Sequence, residues 1–253
     1  MKRVKILLLI CMVMPFFSAM AQNRTKVFDN SRPDKIVTFG VRVGLNSSSI
    51  STNFLSANSE MIQNNIYWRM GGQVGGAAYL NITKFLAIQT GLSFENRSFD
   101  CALMAADANS DYMGSSFIHS RFNYLHIPFM LTFRLNLMEN MQWEFDLGGY
   151  YAYGVNGKKK QRTYIAFGEE NGDLVFDKST IKSDYFGLES RDFLAVGHSD
   201  LGLKIGTGLT FFKHYYLGVF YERSLKNLAK QNPGAPAHKI KNLNWNVSLG
   251  YNF

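Results

Sequence analysis

Apolar and polar residues alternate strictly at the carboxyl-terminal end of the sequence. From Leu243 to Phe253 every second residue is apolar, and asparagine, serine or glycine stands between them. Successive side chains of a β-strand point to opposite faces, so this period predicts a strand with one apolar and one polar face. The apolar face is expected to carry Leu243, Trp245, Val247 and Leu249.

The same period recurs upstream and predicts seven further strands. The predicted strands cover residues 37–45, 67–82, 85–99, 121–136, 142–155, 198–212, 215–225 and 241–253. Their connections alternate between long and short, with long polar loops predicted at residues 47–65, 100–120, 156–197 and 226–240. The pattern therefore predicts an all-β fold: an eight-stranded antiparallel up-and-down transmembrane β-barrel with short periplasmic turns and long extracellular loops.

Alternation alone leaves open which face of the barrel points outward. In a soluble lipocalin-like carrier the apolar face lines a ligand cavity, whereas in a membrane barrel it faces lipid. The polar face carries charges of both signs: Arg42, Glu95, Arg97, Arg134, Glu144, Asp146, Lys204 and Glu222. A cation that faces lipid at the midplane costs ~2–4 kcal/mol, so these charges favour an apolar exterior. Aromatic residues near the strand ends and glycines on the polar face favour the same orientation.

The narrow interior of such a barrel requires its charges to be paired. An eight-stranded lumen is just wide enough for side chains, and an unpaired buried charge is strongly unfavourable. We therefore expect ion pairs that fill the bore. The expected cations are Arg42, Arg134 and Lys204, and the expected acids are Glu95, Glu144, Asp146 and Glu222.

The amino-terminal residues have the pattern of a signal peptide. Basic residues precede an apolar run at residues 6–17, and Ala19-Met20-Ala21 fits the small-x-small cleavage rule. The run is shorter than the ~20 residues that a membrane-spanning helix needs. The predicted organisation is a signal peptide at residues 1–21, a periplasmic lead-in at 22–35 and an outer-membrane barrel at 36–253.

Composition limits the remaining function classes. Removal of Lys2, Arg3 and Lys5 lowers the formal net charge from +8 to +5, and this mild excess gives no reason to expect nucleic acid as a partner of an exported protein. Charged residues make up 18% of the sequence, below the ~25% of ordinary globular proteins. Removal of the signal peptide also removes Cys11. Cys101 is then the one cysteine left, so no intrachain disulfide is expected.

Several short motifs resemble one family of bacterial proteins. They are YLHIP at 124–128, GGYYAYG at 148–154, DLGL at 200–203, YERSL at 221–225 and SLGYNF at 248–253. In their order and spacing they resemble the PorT-like outer-membrane β-barrel domain proteins of Bacteroidota, over about residues 36–253. The resemblance implies an eight-stranded outer-membrane barrel. Because the founding type is associated with protein secretion, a part in a secretion system is an alternative function.

Three kinds of partner are expected. The final strand resembles the closing strand of outer-membrane barrels, which implies that the barrel-assembly machinery reads Phe253. Outer-membrane lipid and lipopolysaccharide are expected around the barrel, and Lys158-Lys159-Lys160 is either a contact for their phosphates or a solvated run of charges. The third expected partner is an envelope protein that binds the extracellular loops.

Two segments bring catalytic residue types together, His119-Ser120 and His198-Ser199-Asp200. Neighbours on a strand point to opposite faces, so His198 and Ser199 would need a bulge to form a dyad, and polar rim residues are the simpler interpretation. His126 is expected to be a hydrogen-bonded interior side chain, because the histidines show no metal-ligand spacing. We predict a protein without enzymatic activity and without catalytic, cofactor-binding or metal-binding residues.

The longest predicted loop contains two apolar runs, at residues 164–167 and 174–176, on either side of Asn171-Gly172. Asn-Gly is a strong hairpin signal. One interpretation is that the strands continue beyond the membrane as a hairpin; the other is that the edge of this hairpin also recruits a partner by strand addition. The sequence thus favours a barrel that presents long loops for structural or interaction roles, with a secretion component and a lipocalin-like carrier as alternatives.

Overall fold

The computed structural model describes residues 26–53, 61–106, 113–170, 173–188, 192, 194–230 and 238–253. The described residues form nine β-strands: β1 (Val37–Thr52), β2 (Met61–Asn81), β3 (Leu86–Ala106), β4 (Met113–Met138), β5 (Met141–Glu170), β6 (Asp173–Asp184), β7 (Ser199–Phe211), β8 (Tyr215–Ser224) and β9 (Ile240–Asn252). Among these residues no helix has the length and apolar character to cross a membrane. The predicted signal peptide lies outside the described residues.

Eight of these strands form one closed antiparallel ring. The order around the ring is β1, β2, β3, β4, β5, β7, β8 and β9, and β9 pairs with β1 to close it. In the closing pair Val43 lies opposite Leu249, and Leu45 lies opposite Val247. The remaining strand, β6, lies outside the ring and pairs with residues 158–170 of β5. The predicted eight-stranded up-and-down barrel is confirmed.

The two ends of the barrel differ in their connections. At one end, here called the turn end, short connections join β2 to β3, β4 to β5 and β7 to β8. In the last of these turns Phe212 and Lys213 adopt left-handed φ angles of 51° and 66°, which suit a tight reversal between twisted strands. The opposite end, here called the loop end, carries the β5–β6 hairpin. The expected hairpin is present and β5 forms its first strand, but its second strand is the separate β6; the predicted sixth strand, β7, begins at Ser199 and does not continue into the hairpin.

The outer face of the ring is an apolar belt. Val43 on β1 and Leu147 on β5 are 57% and 58% exposed. Trp245, Val247 and Leu249 on β9 are also exposed, as predicted, and Leu243 is half-buried. The charged residues predicted for the polar face lie inside the barrel. This orientation contradicts the lipocalin-like alternative, in which apolar side chains would line the interior.

The height of the belt fits a membrane. On β4 and β5 the belt extends from the pair Leu135–Trp143 to the pair Leu125–Tyr153. This span along a tilted strand, at ~3.3 Å per residue, rises about 25 Å, which is the height of the lipid-facing band of outer-membrane barrels. The belt is therefore tall enough to cross the hydrocarbon layer of such a membrane.

Strands β1 to β5 extend further towards the loop end than the sequence predicted. Residues 47–52, 61–65, 100–106, 113–120 and 156–170 belong to the sheet, although all of them lie in segments predicted as loops. The strands β7, β8 and β9 match their predicted bounds within one or two residues. The predicted loops are therefore largely a continuation of the barrel wall above the belt.

The misprediction has a physical cause, because the apolar face changes side above the belt. Within the belt Leu125 of β4 faces outward and His126 faces inward. Nearer the loop end of the same strand, Arg121 is exposed and Phe122 is buried inside the barrel. Water rather than lipid surrounds this part, so the inner face becomes the apolar one. A strand whose apolar face changes side has no single period-two pattern.

The lead-in packs against the turn end. The backbone carbonyl of Val27 accepts a hydrogen bond from Asn136 N at 3.1 Å, and Phe28 lies edge-on to Phe85 with ring centroids 5.5 Å apart. Lys84 in the β2–β3 turn lies 3.2 Å from Asp34. The described part of the lead-in is thus held against the short turns of the barrel.

A cation placed at the middle of the belt tests the orientation of the barrel wall. Leu147→Arg is expected to lower the free energy of unfolding by ~2–4 kcal/mol, because the charge faces hydrocarbon. Val155→Arg, at the edge of the belt on the same strand, is expected to cost only ~0–1 kcal/mol. Guanidinium unfolding of the refolded protein in phospholipid vesicles measures both. Equally small losses would contradict the assignment of this face to lipid.

Candidate functional site

The interior at belt height contains a buried network of four charged side chains. Arg97 Nη2 lies 2.6 Å from Glu95 Oε2 and 2.5 Å from Glu222 Oε2. Lys204 Nζ lies 2.7 Å from Glu222 Oε1. One guanidinium and one ammonium thus balance two carboxylates, as buried charges require. The predicted pairing of Lys204 is confirmed. Arg97 was predicted to face the interior but was not among the cations expected to form ion pairs; it is the central cation of the network.

His126 lies between the two carboxylates of this network. Its Nδ1 is 3.5 Å from Glu95 Oε1, its Nε2 is 3.4 Å from Glu222 Oε1, and its ring stacks on Tyr150 with centroids 4.9 Å apart. The predicted interior position is confirmed. Both nitrogen–oxygen distances exceed the ~2.7–3.2 Å of an ordinary hydrogen bond. The ring therefore stacks on Tyr150 and does not form the expected hydrogen bonds with the two carboxylates.

Glu95, His126 and Glu222 also have the spacing of a metal-binding triad, since one ligand atom from each lies within 4.8 Å of the others. Carboxylate and imidazole groups are common ligands of divalent metals. However, Arg97 already contacts both carboxylates, and Lys204 contacts Glu222. A dication would add two positive charges beside two cations in a low-dielectric interior. The arrangement therefore suits an ion-pair network better than a metal centre.

A second polar layer lies nearer the turn end. Arg134 Nε is 3.5 Å from Glu144 Oε1, which also accepts a hydrogen bond from Thr210 at 2.9 Å. The predicted pairing of Arg134 is confirmed. Asp146 differs from the prediction, because its carboxylate accepts a hydrogen bond from Thr132 at 2.5 Å and forms no ion pair with a cation among the described residues. A hydroxyl donor thus replaces the expected partner.

Arg42 also departs from the prediction, since it forms no ion pair with a carboxylate among the described residues. Its Nη2 donates to Tyr79 Oη at 2.8 Å and to Asn252 Oδ1 at 2.6 Å, and its guanidinium lies 4.2 Å from the centre of the Tyr216 ring. A Cβ at Gly40 would lie 2.5 Å from Arg42 Nη1, so this glycine makes room for the side chain. Neutral acceptors and a cation–π contact suffice here because Arg42 is only half-buried.

Above the charged network the interior is apolar. Inward side chains of the strands pack there with the segment that connects β6 to β7. This cluster, called here the apolar plug, contains Ile50, Phe99, Cys101, Leu103, Ile118, Phe122, Tyr124, Tyr150, Ala152, Tyr185, Phe186, Leu194, Val196, Leu228 and Ile240. Phe122 stacks on Tyr185 with centroids 4.7 Å apart, and Phe186 lies edge-on to Tyr124 at 5.8 Å. The plug closes the barrel at its loop end.

Polar contacts fasten the inserted segment. Lys159 points inward, is buried and forms an ion pair with Asp192. Lys230 Nζ donates to the backbone carbonyls of Phe186 at 2.8 Å and Leu188 at 3.0 Å. Within the plug, burial raises the pKa of the Cys101 thiol to about 12. This thiol is therefore protonated at neutral pH and unsuited to act as a nucleophile.

The candidate catalytic residues near His198 do not converge. The His198 ring is exposed, stacks on Phe186 at 4.8 Å, and its Nδ1 lies 2.7 Å from the carbonyl oxygen of Gly154. Asp200, in contrast, is fully buried in the interior. The hydroxyl of Ser199 accepts a hydrogen bond from Lys226 Nζ at 2.5 Å. A nucleophile, base and acid in one hydrogen-bonded chain are therefore not assembled here.

The second candidate pair is also split between two faces. His119 faces outward, and its Nδ1 lies 2.6 Å from Asp100 Oδ1. Ser120 is fully buried on the inner side. The lysine run divides in the same way, because Lys159 points inward while Lys158 and Lys160 lie on the outer face opposite Arg121 and His119. Alternation along β4 and β5 thus places His119 on an outer surface with Lys158 and Lys160.

Residues 20–230 match the family model described as an outer membrane protein beta-barrel domain. The chain belongs to this family. No curated protein gives a match to the sequence. Solved structures with a similar fold include Ail, the attachment invasion locus protein of Yersinia pestis, with TM-score 0.38 and 14% identity over 87% of this chain and 100% of that chain. OprG from Pseudomonas aeruginosa has TM-score 0.41 and 13% identity over 89% and 99%. The outer membrane protease OmpT from Escherichia coli has TM-score 0.31 and 9% identity over 91% and 99%.

Membership of the outer-membrane barrel family fixes how the protein lies in the envelope. The predicted outer-membrane location is confirmed by the family match. In such barrels short turns face the periplasm and long connections face the cell exterior. The turn end is therefore periplasmic, and the loop end, with the apolar plug and the β5–β6 hairpin, is extracellular.

Removal of the shared carboxylate tests the buried network of this outer-membrane barrel. Glu222→Gln leaves Arg97 and Lys204 with one buried carboxylate, and we expect the free energy of unfolding to fall by ~3–5 kcal/mol. Adding Lys204→Met removes the surplus cation and should restore part of the loss. Urea unfolding in detergent measures all variants. Glu139→Gln, in an exposed turn, is the control, with a change within about 0.5 kcal/mol; the same small change for Glu222→Gln would refute a stabilising network.

Proposed function

We propose that this protein is a non-enzymatic outer-membrane barrel with a sealed lumen, which anchors an extracellular β-hairpin as an interaction platform. The observation that carries the proposal is the continuous filling of the interior by side chains. Two polar layers occupy belt height, with Glu144 in the lower layer and Glu222 in the upper one. The apolar plug lies above both layers. Eight strands enclose only enough space for side chains, so this filling leaves no continuous path for solutes.

The proposed absence of enzymatic activity is supported by the separation of the catalytic residue types. His198 is exposed at the rim, whereas Asp200 is inside the barrel. His119 and Ser120 lie on opposite sides of the barrel wall. Hydrolysis by a triad needs these groups within hydrogen-bond reach of each other.

The platform in this proposal is the β5–β6 hairpin. Strand β6 spans 12 residues and pairs with β5 along one edge. Its other edge has no paired strand among the described residues. Phe176 and Ile181 on this strand are 51% and 57% exposed. An open edge with exposed apolar side chains can add a strand from another protein, as other strand-recruiting domains do.

The finer, PorT-like identity is supported by where the motif residues meet. Tyr124 and His126 of YLHIP, Tyr150 of GGYYAYG, Asp200 of DLGL and Glu222 of YERSL all lie buried in the interior. Asn242 Nδ2 donates to Asp200 at 2.9 Å, and Tyr150 Oη donates to Asp200 at 3.3 Å. The motifs therefore encode one connected interior, which is what a shared family signature would specify.

The barrel-assembly machinery is the proposed partner of the final strand. Phe253 follows β9 at the periplasmic end, is 59% exposed, and donates its backbone N–H to Phe39 O at 2.8 Å. An aromatic ring on the outer surface beside the closing pair of strands is accessible to a factor that binds the strand end. This position supports the proposal that Phe253 is read during insertion.

The sealed lumen makes a direct electrical prediction. Purified protein in planar bilayers is expected to give no steady current, since side chains fill the bore. Phe186→Ala combined with Leu194→Ala loosens the plug, and it should also give none because the charged layers below remain. A trimeric porin reconstituted in the same bilayers is the positive control. A steady porin-sized current from the unmodified protein would disprove a sealed lumen.

The interaction platform is tested by photo-crosslinking in living cells. A photoreactive amino acid in place of Ile181 is expected to trap a discrete protein adduct, while the same group in place of Leu217, in the lipid belt, should trap none. Deletion of residues 169–176 shortens the hairpin and is expected to abolish the adduct, whereas the heat-modifiable gel mobility of the barrel persists. An adduct that survives the deletion would rule out the hairpin as the binding element, and loss of heat modifiability would assign the hairpin to the folding core.

A further inference from the structure

The outer wall of the barrel carries a basic surface directly above the belt. This surface consists of Arg69, Arg121, Lys158, Lys160, Arg162 and Lys182, all exposed or half-buried. Cations of adjacent strands face each other, because Arg121 lies opposite Lys158 and Lys160 lies opposite Lys182. Like charges opposite each other in a sheet are unfavourable. The fold therefore maintains a charge repulsion that an anionic ligand would relieve.

Among the residues that the structure describes, carboxylates near the basic surface are too few to neutralise it. Asp100 is shared by Arg69 at 3.4 Å and His119 at 2.6 Å. Asp184 lies opposite Lys158 in the sheet register. Apart from the contact of Arg69 with Asp100, no ion pair reaches the cations of the basic surface among the described residues. The surface keeps an excess of positive charge.

The basic surface includes a depression with a volume of about 400 Å³. Its lining includes Arg69, His119, Lys160 and Arg162, together with the rings of Tyr67 and Phe117. Both rings are more than half exposed. Guanidinium groups bind phosphate in a bidentate manner, and lysine adds a compact charge. Cations beside exposed rings suit an anionic group carried on an amphiphilic or sugar framework.

The height of the surface above the belt matches a lipid headgroup. A row of outward asparagines marks the upper limit of the belt: Asn96 Nδ2 donates to Asn123 Oδ1 at 2.7 Å, and Asn123 Nδ2 donates to Asn156 Oδ1 at 2.6 Å. Arg121 lies two residues above this row and Lys160 four. Arg162 lies six residues above the row. At ~3.3 Å per residue along a tilted strand, the surface extends from about 5 to about 15 Å above the belt.

We propose that this basic surface binds the phosphate-bearing headgroup of an outer-leaflet glycolipid, with the acyl chains of the lipid lying along the belt below. The inference rests on the outer-membrane placement and adds the ligand class and the residues that bind it. Because the basic surface adjoins the apolar belt, we assign the phosphate to a membrane lipid. A membrane lipid satisfies the apolar belt and the cations together, whereas a soluble polyanion would use the cations alone.

The test uses the complete mature protein in phosphatidylcholine nanodiscs with labelled lipopolysaccharide. The triple variant Arg121→Gln, Lys160→Gln and Arg162→Gln is expected to bind about tenfold more weakly, since exposed charge contacts of this kind are each worth a fraction of the ~1.4 kcal/mol that a tenfold change represents. The control is Arg223→Gln, Lys239→Gln and Lys241→Gln, which removes equal charge from β8, β9 and the residue before β9, across the barrel. The control should bind within about twofold of the unmodified protein, and unmodified binding should weaken as salt rises.

Three further comparisons each support or overturn the proposal. Lipopolysaccharide stripped of its phosphates is expected to bind as weakly as the triple variant, and equal binding of both lipids would overturn the role of phosphate. Sucrose octasulfate that binds as tightly as the lipid would show a polyanion site and overturn the lipid as the ligand. Equal losses in the two triple variants would show an effect of net charge alone. Heat-modifiable mobility of every variant reports the barrel separately, so a failed fold is distinguished from a failed site.

Discussion

Closure of the backbone hydrogen-bond ring is the constraint on which the rest of the molecule depends. In hydrocarbon no water satisfies an open strand edge, so a sheet crosses a membrane only when its last strand pairs with its first. Here β9 pairs with β1 from Ile240 to Asn252. Closure with eight strands also sets the bore, and the bore then forces every inward side chain to contact others. The ion pairs of Glu222 and the packing of the plug are consequences of that limited space.

The environment outside the wall determines what lies inside it. At belt height lipid surrounds the barrel, so apolar side chains face outward and the polar ones, confined within, neutralise each other through Arg97 and Lys204. Above the belt water surrounds the wall, and the same strands bury Phe99 and Phe122 while they expose Arg121. The inversion gives the extracellular part a core of its own. It also places a basic outer surface immediately above the lipid.

Only part of each candidate site could be predicted from the sequence. Alternation placed Glu95, Arg134 and Glu222 on the inner face, because period two follows from strand geometry whatever the partners are. The partners themselves were harder to predict. Asp146 binds a hydroxyl and Arg42 binds aromatic and amide groups, since strand register and tilt, rather than sequence spacing, decide which inward side chains lie at the same height. Of the basic surface, only Lys158 and Lys160 were noted in the sequence, as part of a lysine run; the other cations were missed because they come from several strands.

The sequence by itself determined the number of ring strands, their antiparallel order, the face that meets lipid and the short turns. The strands, their order and the turns follow from local alternation and from the lengths of the connections, and the lipid face follows from the charges of both signs on the polar face. The tertiary structure alone decided the extension of β1 to β5 beyond the belt and the insertion of Phe186 and Leu194 as a plug. It also decided that Lys159 lies inside the barrel wall and Lys160 outside it. The reason is that these features depend on what surrounds each level of the wall, and a local pattern cannot report the change from lipid to water.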